Sequence, residues 1–206
     1  MPHSEGLPPE INSGNIWNGP GAGSLVTAYA QWEMLGREAR SLECSLDQML
    51  GCLMEEWSGE VAMQVNNAAT PFLDWLANFS DQVTNAARQT QRILIAFCNA
   101  HNEVVPPEAI DANRAEMLAL INDNELGQNT AAIAALEDEY GRYWDQDGVA
   151  MNRYRWGLST ALTNLKTPWQ QPPPIANNTG LVPPVPLSTA PPESLSPMPP
   201  EPFRTT

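Results

Sequence analysis

Apolar residues recur along most of the chain at alternating steps of three and four, the period of one face of an α-helix. The first run is Leu25, Ala28, Trp32, Leu35, Ala39, Leu42, Leu46, Met49 and Leu53, a continuous seam on one long helix. Ser24 is its expected N-cap, and Trp57-Ser58-Gly59 interrupts the run. A second seam carries Val65, Ala69, Phe72, Leu76, Phe79, Val83, Ala86, Thr90, Ile93, Phe97, Ala100 and Val104. If unbroken, this second helix measures roughly 60 Å, and Pro71 inside it is expected to kink or break it. Pro106 and Pro107 end it and suit the first turn of a third helix, with Ala109 to Asn122 as its body. Asn124 to Asn129 form a short connection, with Thr130 a candidate cap. A fourth helix then carries Ile133, Leu136, Tyr140, Trp144, Met151, Tyr154, Leu158, Ala161 and Leu165. No segment alternates like a strand for a useful length, so the predicted class is all-α, an elongated bundle of long antiparallel helices.

The two ends read differently. The opening, through Leu7-Pro8-Pro9-Glu10 and Asn18 to Gly23, is too rich in proline and glycine for a helix or strand interior. From Pro168 onward lie 13 of the 20 prolines, a composition for an extended, polyproline-like or disordered tail. The expected division is a helical domain over 1–167 and a Pro-rich tail over 168–206.

The second helix also carries apolar residues off its main seam: Leu73, Trp75, Leu94 and Ile95. One stripe suffices for a contact between two helices, so more imply neighbours on two sides. Either the third and fourth helices cover both, or a partner chain supplies the missing cover.

A formal net charge of −14, with one lysine (Lys166), makes nucleic acid and anionic membrane poor candidate partners, because phosphates need neutralising Lys and Arg. Cys44 and Cys52 fall roughly 12 Å apart along one helix, too far for a disulfide. With Cys98 they are expected as buried free thiols. Met1 to Gly23 lack the cationic and apolar regions of a cleaved leader, so the expectation is folding in the cytoplasm, with any export by a route without one.

Candidate chemistry is sparse. Cys98 and His101 share a helix face, but zinc needs three or four ligands and no second pair is evident. Gly19 to Gly23 lack the preceding strand and following Lys-Ser/Thr of a phosphate loop. Glu137, Asp138, Glu139, Asp145 and Asp147 read as a solvated acidic face. With two histidines in the chain, no nucleophile–base arrangement can be drawn. The sequence points to no enzyme, cofactor, metal or small-molecule substrate. One further reading is a self-sufficient helical adaptor whose tail, at Pro183-Pro184-Val185-Pro186 or Pro197 to Pro202, docks an aromatic groove.

Three ordered blocks resemble the PPE family of mycobacteria. They are Pro8-Pro9-Glu10 with Ile11-Asn12-Ser13 and Gly19-Pro20-Gly21, then Trp57-Ser58-Gly59, and then Asn113-Arg114-Ala115 with Leu126 to Thr130 and Ile133-Ala134. Val61 to Gln64, Tyr140 to Gly148, and Thr167-Pro168-Trp169 with Pro172 to Ala176 are most similar to short members handled by the fifth type VII (ESX) secretion system.

The resemblance implies a secreted or cell-surface protein that pairs with a PE-family protein, whose helical hairpin completes a four-helix bundle with the two longest helices. Leu46, Met49, Leu53, Phe72, Leu76, Phe79 and Val83 are the residues expected to face that partner. Trp57, Ser58 and Gly59 form the W-x-G turn, part of a bipartite export signal; the alternative for Trp57 is a local packing plug. An EspG-type cytosolic chaperone is expected at the tip Asn124, Glu125, Leu126, Gly127, Gln128, Asn129 and Thr130, with Leu126 as the apolar anchor. Glu125 and Asn129 depart from the apolar residues common there.

Overall fold

The computed structural model describes residues 6–57 and 59–174. The described residues all belong to the first of the chain's two units, Met1–Ile175, the second being Ala176–Thr206. The second unit lies outside the described residues, and with it both polyproline segments named above.

The described residues are all-α, with no strand among them. The five helices are α1 (Pro9–Trp17), α2 (Gly23–Glu56), α3 (Glu60–Glu103), α4 (Pro107–Asn122) and α5 (Thr130–Asn164). Helices α2 and α3, of 34 and 44 residues, form the main hairpin. The other end of α3 packs on α5, α4 lies along α5, and α1 touches α3, α4 and α5. Where α1, α3 and α5 meet, Ile16, Ala100, Val104, Ala150 and Met151 form a buried cluster. Small residues let the helices approach closely: a Cβ added at Gly157 on α5 would meet Ala96 Cβ of α3 at 3.2 Å.

Five expectations are corrected. The Pro/Gly-rich opening contains helix α1, because Pro8 sits at its N-cap and Pro9 in its first turn, where a missing N–H breaks no intrahelical bond. Helix α2 begins at Gly23 after Ala22, not behind a Ser24 cap, and α5 begins at Thr130 after Asn129. Of the kink or break expected at Pro71, the break is absent, since α3 runs through it over 44 residues. Pro71 is exposed, so water reaches the turn whose carbonyl lost its donor. Finally, the three cysteines are exposed free thiols, not buried ones.

The first compact unit runs past residue 167 because the segment 167–174 packs on the helices. Trp169 stacks on Trp32 of α2 with centroids 6.2 Å apart and tilts against Phe79 of α3 at 5.7 Å. Trp75 Nε1 donates to the Gln170 carbonyl at 2.9 Å. Part of the expected free tail is therefore a strap across the α2–α3 hairpin.

Candidate functional site

Among the described residues the functional candidates are surfaces. The first lies on α2 and α3. Leu35, Leu42 and Met49 are exposed on α2, Met49 at 66 %, and Leu46 and Leu53 are half-buried. This is a heptad seam on the flank of α2, beside the face that buries Gly36 and Ala39 against α3. On α3, Val61 and Val65 are exposed while Phe72 and Phe79 are half-buried. Leucine, methionine and valine left open at this spacing are suited to a helix laid alongside.

Two of the residues expected to face a partner do not. Leu76 and Val83 are 2 % and 0 % exposed, because they lie on the α3 face turned toward α2. A Cβ added at Gly36 would meet Val83 Cγ1 at 3.6 Å. This chain covers them itself, and Leu35, Leu42, Val61 and Val65 offer the free area instead. Trp75, one of the off-seam residues, meets the strap, its Nε1 donating to the Gln170 carbonyl. It stacks with Phe72 and Phe79, each 5.4 Å away.

The seams run to the α2–α3 turn. Trp57 caps α2 in an extended conformation, its N–H donating to the Leu53 carbonyl at 2.9 Å, and its side chain is half exposed. It is not a packing plug. Gly59 has φ 112° and ψ −172°, a region essentially confined to glycine. The glycine of W-x-G is thus required by the reversal that starts α3. Ser58 lies outside the described residues.

The second surface is the α4–α5 tip. Asn129 N–H donates to Asn124 Oδ1 at 2.7 Å, and Asn129 Nδ2 donates to the Asp123 carbonyl at 2.9 Å. Gln128 Nε2 also donates to the Asp123 carbonyl. Gly127 has φ 77°, and Thr130 Oγ1 donates to its carbonyl at 2.9 Å. These bonds hold a rigid loop that presents Leu126 to solvent at 93 % exposure. Asn129 is a brace for the loop, which explains a polar residue there. Glu125 is exposed, and so are Leu118 and Ile121 on α4, which the sequence reading passed over.

The third constellation surrounds Pro8-Pro9-Glu10. Pro9 is buried, and the Glu10 carboxylate accepts the Tyr140 hydroxyl at 2.9 and 3.2 Å. The Arg114 guanidinium stacks 3.9 Å over the Tyr140 ring and donates to Glu137 at 3.1 Å. Burial first, then Glu10, raise the Tyr140 pKa. One turn on, Ser13 Oγ donates to the Val105 carbonyl at 2.6 Å, and the Val105 N–H donates to Asp147 Oδ1 at 2.9 Å. The α3–α4 connection is therefore clamped from both sides, by α1 and α5.

Asp147 corrects the reading of a solvated acidic face. Glu137, Asp138 and Asp145 are exposed and Glu139 half-buried, but Asp147 is 0 % exposed. Burial raises its pKa from 3.8 to about 6; the Val105 hydrogen bond opposes this, and the charge of Glu10 adds to it. Asp147 Oδ2 has no hydrogen-bond partner. His101 packs against the rings of Trp17 and Phe97, and among the described residues no group of three or more His, Cys, Asp and Glu is placed to hold a metal. No described helix is long and apolar enough to cross a membrane.

Comparison with known proteins places these surfaces in a family context. The model of the PPE family matches residues 5–166. The chain is 46 % identical over 188 residues to PPE family protein PPE41 of Mycobacterium tuberculosis (strain ATCC 25618 / H37Rv), covering 91 % of this chain and 96 % of that one. It is 39 % identical to Uncharacterized PPE family protein PPE33 of strain CDC 1551 / Oshkosh over 84 % of this chain and 37 % of the relative. It is 38 % identical to Transporter PPE51 of the same strain over 85 % of this chain and 46 % of the relative. Against the last two, the chain spans less than half of the relative's length.

Proposed function

Because the chain belongs to the PPE family, we propose that it is a non-enzymatic binding protein, one half of a heterodimer with a PE-family helical hairpin. The observation that carries this reading is the pair of open apolar seams, Leu35-Leu42-Met49 on α2 and Val61-Val65 on α3. Left bare, they form an aggregation-prone patch. A hairpin laid along them completes a four-helix bundle and removes them from water at about 25 cal/mol per Å².

In the same reading, the tip holding Leu126 is the site of an EspG-type cytosolic chaperone. A rigid loop with one protruding leucine gives such a partner an anchor whose ordering is already complete. The exposed Trp57 and the glycine-only reversal at Gly59 serve as this chain's share of an export signal for a type VII system, the fifth (ESX) system by the resemblances above. The protein is then folded in the cytoplasm and secreted, or held at the cell surface. One relative is named a transporter, but this chain spans 46 % of its length, and the role proposed here is binding and export.

The test is to express the chain alone and together with PE hairpins from the same genome, measuring mass by size exclusion with light scattering. The expected result is aggregation alone and a soluble one-to-one complex with a hairpin. A stable monomer that ignores every hairpin would overturn the reading.

A further inference from the structure

We infer that the 167–174 strap is the end wall of the docking groove, so that the partner's helical arms stop against Trp169. The inference rests on the heterodimer reading and adds the size and charge of what docks. Trp169 bridges the hairpin at the point where both seams arrive, between Trp32 of α2 and Phe79 of α3. The strap is tied down after that residue, and the end of α5 that leads into it is tied down before it. Trp75 holds the Gln170 carbonyl at 2.9 Å, and Asn85 Nδ2 donates to the Asn164 carbonyl at 3.1 Å. Asn164 in turn reaches Gln89 at 3.3 Å. Past the strap, α5 itself packs on α3. Trp169 nevertheless stays 49 % exposed, presenting an unused aromatic surface.

The groove is therefore closed at Trp169 and open at the Trp57 turn. From Trp32 to Trp57 the helix rises about 38 Å, room for arms of about 25 residues. Residues 31–83 carry nine acidic side chains and two basic ones, so the arms that fit are apolar along one face and flanked by Lys and Arg.

The experiment uses the heterodimer formed by the full chain with a co-expressed PE hairpin. A benzophenone side chain placed at residue 169, and in a second variant at residue 49, is photo-crosslinked and the joined peptides are sequenced. The end wall predicts that residue 169 joins the terminus or the loop of the hairpin, and residue 49 the middle of an arm. Trp169→Ala should weaken the complex about tenfold, and Trp169→Phe less than about threefold. Circular dichroism checks that both variants keep the helix content of the parent. A crosslink from residue 169 to the middle of an arm, or none at all, overturns the end wall while leaving the heterodimer intact. So does a Trp169→Ala complex as tight as the parent. Failure of the unmodified chain to form any one-to-one complex overturns both readings.

Discussion

Replacing Asp147 by Asn tests whether a carboxylate is held inside the helical domain at a cost to stability. The side chain is fully buried, and its pKa is raised from 3.8 to about 6, chiefly by burial. For an acid, a raised folded-state pKa means that protons favour the fold. The stabilisation is complete below pH 3.8 and is lost as pH rises through about 6. The full difference amounts to about 3 kcal/mol, of which about 2 kcal/mol is recovered at pH 4.5.

Asparagine keeps an oxygen for the Val105 N–H and discards the charge, but its amide N–H groups arrive where Asp147 Oδ2 has no partner. An unpaired buried donor costs about 1–3 kcal/mol, so the gain at pH 7.5 is small. The pH dependence carries the prediction. Urea denaturation of the proposed heterodimer at fixed concentration, followed by circular dichroism, should show the stability difference between parent and variant changing by about 2 kcal/mol from pH 7.5 to 4.5. The partner and the other carboxylates cancel in that difference. Parallel pH profiles for the two proteins would refute the claim that Asp147 is a buried charge. Asp147→Ala, which strands the Val105 N–H as well, should destabilise by about 1–3 kcal/mol even at pH 4.5.

Three further outcomes are expected. Gly59→Ala forces a side chain onto φ 112° and should destabilise the α2–α3 turn by about 1–3 kcal/mol, read in the same urea titration. Leu126→Asp should abolish capture by an EspG-type chaperone in a pull-down, with heterodimer mass and melting unchanged, since Leu126 is almost wholly exposed. The double change Leu42→Asp and Met49→Asp should weaken the heterodimer more than about tenfold by calorimetry, because each puts a charge on a seam that docking dehydrates.

Much of the helical layout was legible because its signal is periodic. The seams and the interruption at Trp57 locate α2, α3 and α5 to within a few residues, since burying one face demands steps of three and four. What was missed follows from reading residue types singly. Pro8 and Pro9 looked like helix breakers, yet Pro9, Asn12, Ser13 and Ile16 are the buried face of α1 at helical spacing. On α5 the apolar seam skipped from Trp144 to Met151, and Asp147 fills the vacant step. A polar residue at a seam position is a sign of a buried hydrogen bond, whereas its acidic neighbours suggested a solvated face. Leu76 and Val83 read as partner-facing in the sequence because a seam records that a face is buried, not by which chain. Nothing local announces that Trp169 folds back, since its partners lie on α2 and α3, far away in sequence.

The α4–α5 hairpin carries the tip but meets the long α2–α3 hairpin at one end, through α3 and α1. Its orientation there rests on polar contacts: Glu10 with Tyr140, Ser13 with the Val105 carbonyl, and Asp147 with the Val105 N–H. Apolar packing of Ile16, Ala100, Val104, Ala150 and Met151 brings the helices together, but it is non-directional. Directional bonds to both polar groups of Val105 permit one register only. The Pro-Pro-Glu start is best understood as the part that sets this joint. Pro8 and Pro9 begin α1 at a fixed point, and Glu10 and Ser13 then fall one turn apart, one on Tyr140 of α5 and the other on the α3–α4 connection. If the tip and the open seams engage different partners, as proposed, this joint fixes the distance and angle between the two sites.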